Sequence, residues 1–161
     1  MAHVLRKLLI PGLLALTSSA LPAVAVAAPA PPGTLPAVGK MCLESNYPST
    51  YIVSVKGCNS SVAGQHWAFN GEALYQTQYP NMCLESNYPS TYIVSVKGCN
   101  SSVAGQHWAL SGEALYQTQY PNMCLESNYP STYIVSVKGC NSSVAGQHWT
   151  VQGQQISETL F

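Results

Sequence analysis

The stretch CLESNYPSTYIVSVKGCNSSVAGQHW occurs three times without a change, at Cys42–Trp67, Cys83–Trp108 and Cys124–Trp149. Each copy holds two cysteines and one each of Glu, Lys, His and Trp, so any chemistry it carries is expected three times. Cys42, Cys58 and His66 are zinc-ligand types, but they lack the close spacing of a zinc site, and an oxidising compartment (argued below) turns such cysteines into disulfides. A hydrolase needs Ser or Cys beside a base and an orienting acid. Each copy offers only Glu44, Glu72 (absent in the third) and His66 with their counterparts. A glycosidase needs two carboxylates at a set separation, and nothing in the repeat sets one. Catalysis, a metal and a cofactor are therefore not expected. Asn59-Ser60-Ser61 and its copies match an N-glycosylation acceptor, relevant only to a eukaryotic source.

The cysteines are better read with the N-terminus. Arg6 and Lys7 precede an apolar run from Leu8, and Ala25-Val26-Ala27 fits a small-residue cleavage site. Residues 1–27 read as a secretory signal peptide, and the Ala-rich signal suggests a bacterial source. Pro11, Gly12 and Pro22 interrupt the run and argue against an uncleaved anchor. Residues 28–38 (APAPPGTLPAV) read as a stiff extended leader. No later segment is apolar for long enough to span a bilayer, so a secreted protein free of the membrane is expected. All six cysteines lie behind this signal, two per copy. That is disulfide arithmetic. Symmetry favours Cys42–Cys58, Cys83–Cys99 and Cys124–Cys140, each closing a loop of about 15 residues worth about 3 kcal/mol in the chain-entropy model. The rival, Cys58–Cys83 and Cys99–Cys124, leaves Cys42 and Cys140 to find each other.

The copies recur every 41 residues, giving repeats 42–82, 83–123 and 124–161 within a domain of residues 39–161. Within one repeat, Met41–Glu44 reads as a strand with Leu43 inward, and SNYPST as a turn in which Pro48 blocks a helix. Tyr51–Lys56 is β-branched and aromatic, a strand whose alternation puts Tyr51, Val53 and Val55 in the core and Lys56 in solvent. Gln65-His66-Trp67 opens a third strand, Gly71 makes a turn, and a fourth strand lies around Ala73–Thr77. Four strands in about 40 residues, repeated three times with no helical period, predict an all-β domain closed around a three-fold axis. The third copy departs after Trp149, yet Gly153 and Ile156 match Gly71 and Leu74, and Phe161 stands where Tyr79 and Tyr120 stand. The chain ends are expected to meet.

Four lysines against six glutamates leave residues 39–161 with a net charge of −2, histidines neutral. No basic face for nucleic acid can be assembled from them. A surface of Tyr, Ser, Asn, Gln and Gly suits neutral partners.

Cys-Leu-Glu, then Val-x-Val-x-x-Cys, then Gln-His-Trp in a 41-residue unit resemble the ricin B-type lectin repeat with its Gln-x-Trp signature. The resemblance spans about Val38–Phe161. It implies a β-trefoil, a six-stranded barrel capped by three hairpins, with Trp67, Trp108 and Trp149 in the core and the intra-repeat disulfides favoured above. It also implies shallow galactose- or xylan-type sites, one per repeat, each with a carboxylate, a stacking ring and an amide. The carboxylate falls on Glu44, Glu85 and Glu126, one methylene longer than the family's Asp. The ring position falls on Lys56, Lys97 and Lys138, and the amide position on Gly64, Gly105 and Gly146. Two of three determinants are thus missing in every copy. Tyr47, Tyr88 and Tyr129 are candidates to replace the ring, and Asn46 or His66 the amide.

Each group also has a plainer role. Gln65 is expected to hold backbone, Glu44 and Lys56 to form a surface ion pair worth little, and His66 to be exposed. The reading adopted is a secreted, monomeric, non-enzymatic β-trefoil with up to three weak glycan sites at Glu44, Tyr47, Glu85, Tyr88, Glu126 and Tyr129. The alternative is a degenerate trefoil scaffold that binds protein as an inhibitor or adhesion factor.

Overall fold

The computed structural model describes residues 39–159, so the residues read as signal peptide (1–27) and leader (28–38), and Phe161, lie outside the described residues. Twelve strands follow in four-strand sets. The first repeat supplies β1 (Met41–Ser45), β2 (Val53–Gly57), β3 (Trp67–Asn70) and β4 (Ala73–Gln76). The second supplies β5 (Tyr79–Ser86), β6 (Val94–Gly98), β7 (Trp108–Ser111) and β8 (Ala114–Gln117). The third supplies β9 (Tyr120–Ser127), β10 (Val135–Gly139), β11 (Trp149–Gln152) and β12 (Gln155–Glu158).

The strands pair as three antiparallel sheets, β3-β4-β5-β6, β7-β8-β9-β10 and β11-β12-β1-β2. Every sheet therefore takes two strands from one repeat and two from the next. The last joins the two ends of the domain, with Cys42 opposite Ser157. This is a β-trefoil. Cyclic backbone hydrogen bonds tie the repeats together: Val96 N–H donates to Tyr51 O, Val137 to Tyr92 O and Val55 to Tyr133 O, at 2.8–3.0 Å. A second cycle joins each Trp amide to the hairpin turn of the preceding repeat, Trp67 to Gln154 O, Trp108 to Glu72 O and Trp149 to Glu113 O. Glycine is required at these turns. Gly71, Gly112 and Gly153 have φ of 58–61° at the first position of a two-residue loop, with no other residue at positive φ among the described residues, the type II′ pattern.

The core is threefold, as the repetition demands. Leu43, Val53, Val55, Trp67 and Leu74 are buried with their counterparts, Ile156 taking the third leucine's place. Each indole N–H donates to the carbonyl of the inward leucine, Trp67 to Leu43, Trp108 to Leu84 and Trp149 to Leu125, all at 2.9 Å. The Trp thus buries its area without an orphaned donor. Disulfides join Cys42–Cys58, Cys83–Cys99 and Cys124–Cys140. Those bonds consume the thiols that a zinc site would need.

The structure corrects two local expectations. Tyr51 is 53% exposed instead of buried. The strand starts only at Val53, and residues 46–52 form a loop closed by Asn46 N–H to Ile52 O and Thr50 N–H to Asn46 O, so strand alternation does not reach Tyr51. Gln65 lies in a 3-10 turn, Ala63–Gln65, and β3 begins at Trp67. The side chains that differ between copies in this strand, Phe69, Leu110 and Val151, are all exposed, which is why the core tolerates the change.

Candidate functional site

The β1–β2 hairpin positions the candidate carboxylate. Leu43 points inward opposite Val55, so the next residue, Glu44, opposite Ser54, turns to the outer face. The 3-10 turn before Trp67 then brings Gln65 beside it. Gln65 Nε2 donates to Glu44 Oε2 at 2.8 Å and to Gly57 O at 3.0 Å, while its Oε1 accepts from Asn59 N–H at 2.8 Å. The same set recurs at Gln106 with Glu85 and at Gln147 with Glu126, both at 2.7 Å. Gln65 holds backbone, as expected. It also orients the carboxylate, a role the sequence reading did not give it. Among the described residues, the half-buried Glu44 is thus held by this one neutral donor.

The glycines of the family's amide position have a steric reason. A Cβ at Gly64 would overlap the carbonyl oxygen of Ser45, and one at Gly105 or Gly146 that of Ser86 or Ser127. A side chain there would push the turn off β1 and with it the glutamine that orients the carboxylate. The amide beside Glu44 is consequently that of Gln65. His66 is held elsewhere, with Nε2 3.0 Å from Ser60 O in the segment that follows the second cysteine, and it is half-buried instead of exposed. Asn46 sits in the turn with Tyr47.

The aromatic groups form clusters. Tyr47, Tyr88 and Tyr129 are half-buried against the core. Tyr47 meets Tyr51 at 5.5 Å between centroids and Tyr79 edge-on at 4.8 Å. Tyr88 meets Tyr92 and Tyr120, and Tyr129 meets Tyr133, in the same way. The rings that reach solvent are Tyr51, Tyr92 and Tyr133, each at least half exposed, beside the similarly exposed Ile52, Ile93 and Ile134. Sequence reading missed them by assigning Tyr51 to the core. Two adjacent large apolar residues, Tyr51 and Ile52, cannot both face inward in a strand, which was the available signal.

The lysines differ from expectation as well. Among the described residues no ion pair joins Glu44 to Lys56. Instead Lys56 Nζ lies 5.4 Å from the centre of the Tyr133 ring, Lys97 5.8 Å from Tyr51 and Lys138 5.6 Å from Tyr92. Each lysine crosses to the exposed ring of another repeat, a cation–π contact. Glu44 already has Gln65, so the ammonium is free to make it.

The geometry predicts a stability effect. Gln106→Leu strands the amide N–H of Asn100, the carbonyl of Gly98 and the Glu85 carboxylate. A cost of about 2 kcal/mol is expected in urea unfolding. A change below about 0.5 kcal/mol would mean that water replaces these bonds without penalty.

The family model of the ricin-type beta-trefoil lectin domain matches residues 79–159, half of the chain. Among solved structures, a non-toxic homologue of type II RIPs from Momordica charantia (bitter gourd), in complex with α-methyl-D-galactoside, is similar with a TM-score of 0.62. It is 20% identical, over 69% of this chain and 43% of that one. The agglutinin from Abrus precatorius is similar with a TM-score of 0.60 and 20% identity, over 74% of this chain and 43% of that one. The chain thus spans less than half the length of either, and at this identity the likeness bears on the fold. No curated protein sequence matches significantly. The matched residues cover most of the second and third repeats, and the first repeats their central stretch without a change. The chain belongs to the ricin-type β-trefoil lectin domain family.

Proposed function

We propose that this domain is an exported, non-catalytic carbohydrate-binding module with three equivalent shallow sites, on Glu44, Glu85 and Glu126. The observation that carries the reading is the carboxylate itself. In all three repeats it is half-exposed and oriented by a glutamine at 2.7–2.8 Å, with no cation neutralising it among the described residues. A carboxylate fixed in this way accepts hydrogen bonds from paired sugar hydroxyls. Tyr47, Tyr88 and Tyr129 pack against the exposed rings of Tyr51, Tyr92 and Tyr133, which offer aromatic surface to the apolar face of a sugar. Six cysteines, all in disulfides, support an oxidising, extracellular location.

Single sites of this kind bind near millimolar, about −4 kcal/mol. Three on one rigid body gain avidity on a repeating polysaccharide. The test is retention on insoluble polysaccharides of the native domain against the E44Q/E85Q/E126Q variant. Glutamine keeps the shape and one oxygen but removes the charge, and retention is expected to fall at least tenfold. Equal retention would show that these carboxylates are not the site.

A further inference from the structure

At two junctions between repeats, a hairpin turn leans over the segment that follows the second cysteine of the next repeat and leaves a cleft. One, of about 330 Å³, has Glu72, Ala73, the Cys83–Cys99 bridge, Asn100, His107 and the Glu85 partner Gln106 among its lining residues. Its counterpart, of about 350 Å³, has Glu113, Ala114, the Cys124–Cys140 bridge, Asn141 and His148. Neither Glu72 nor Glu113 belongs to the carboxylates discussed above.

The charge state of the second cleft follows from its hydrogen bonds. His148 Nδ1 lies 2.7 Å from Glu113 Oε2, and its Nε2 lies 2.9 Å from Ser142 O. A carboxylate and a carbonyl only accept, so this arrangement favours the doubly protonated ring. Consistently, the bond to Glu113 holds His148 above the ordinary histidine value, and the same bond holds Glu113 below the ordinary carboxylate value. In the first cleft His107 Nδ1 lies 3.0 Å from Glu72 Oε2 without the geometry of a hydrogen bond, and its Nε2 lies 2.9 Å from Ser101 O. Both glutamates stay about half exposed.

The third junction departs on both counts. Gln154 replaces Glu72 and Glu113, which removes the carboxylate. Gln155 replaces Ala73 and Ala114, and its Nε2 donates to Gln65 Oε1 at 3.3 Å, so a long polar side chain stands where the other junctions have a methyl group. Gln154 Oε1 meanwhile accepts from Thr77 Oγ1 at 3.3 Å.

We propose that the two clefts each bind one sugar ring, in spaces that Glu85 and Glu126 do not line although the glutamines that orient them, Gln106 and Gln147, do. A histidine beside a carboxylate, flanked by a carboxamide, offers hydrogen-bond donors and acceptors in one small space, which suits a neutral polyhydroxyl ligand. Alanine and the disulfide provide an apolar wall for the C–H face of the ring. The volume is at the small end for ligand pockets, enough for a small molecule and not for an extended chain. The ligand class rests on the carbohydrate-binding reading; the location does not.

The test is an NMR titration of the disulfide-intact domain with the methyl glycosides of galactose, xylose, glucose and N-acetylglucosamine, up to millimolar concentrations. Saturable shifts are expected at the imidazoles of His107 and His148 and not at His66. They should persist in E44Q/E85Q/E126Q and weaken at least tenfold in E72Q/E113Q, which reproduces the Gln found at the third turn. The double change Gln154→Glu and Gln155→Ala should bring His66 into the responding set. No shift at His107 or His148 with any glycoside overturns the proposal, as do unchanged shifts in E72Q/E113Q. Clefts that stay silent while E44Q/E85Q/E126Q abolishes polysaccharide retention would reject this inference alone. Responding clefts with retention indifferent to those three carboxylates would reject only the triple-site reading.

Discussion

Glu158→Gln is expected to stabilise the domain by at most about 3 kcal/mol at pH 8 and by almost nothing at pH 4. Glu158 is fully buried on β12 opposite Trp149, where the other repeats have Gln76 opposite Trp67 and Gln117 opposite Trp108. Those glutamines donate to the carbonyls of Gly64 and Gly105, at 3.0 and 3.4 Å. An ionised carboxylate has no proton to donate, and neither oxygen of Glu158 makes a well-formed hydrogen bond among the described residues. Burial pushes its carboxyl up to about 7, with the Ser127 hydroxyl opposing only in part. The folded-state value is raised above the unfolded one. The stability that Glu158 contributes is therefore fully present below about 4.5 and is lost as pH rises through about 7. Glutamine removes the titration and supplies the N–H at every pH. Urea unfolding at pH 4 and pH 8 checks this. An equal increment at both, or a loss at pH 8, would show that Glu158 does not titrate as its burial dictates.

Reduction of the three disulfides is expected to unfold the domain outright. Each bridge joins strands 16 residues apart in sequence and is worth about 3 kcal/mol. Three together rival the 5–15 kcal/mol that holds a domain of this size. The buried Trp67, Trp108 and Trp149 report the loss directly, through the near-UV circular dichroism that their fixed packing produces. Removing one bridge with Cys83→Ser and Cys99→Ser should lower stability by about 3 kcal/mol and leave a folded protein. A native tryptophan signal after full reduction would show that the core alone suffices.

Most of the fold was legible because the repeat constrains it. Identical hydrophobic positions in three copies can be buried together only around a threefold axis, and Leu43, Val53, Val55 and Trp67 lie there. Symmetry likewise favoured one disulfide pairing, the one observed. What escaped the sequence was tertiary in origin. Tyr51 reads as strand from composition, but the bonds that close residues 46–52 end the pairing at Val53 and turn its ring outward. Lys56 reads as paired with Glu44, but each found a partner that spacing within one repeat cannot reveal, the Tyr133 ring of another repeat and the amide of Gln65. The Glu113–His148 pair was hidden for the same reason: it bridges two repeats.

The most direct test of the central claim is retention of the mature, disulfide-intact domain on a glycan array and on insoluble polysaccharides, competed by free sugar. Retention that a free monosaccharide displaces, and that E44Q/E85Q/E126Q loses, is the predicted result. It would establish that a carboxylate oriented by glutamine serves as a sugar site without the family's usual ring and amide. Silence across the whole panel would contradict the claim and leave a trefoil scaffold that binds protein.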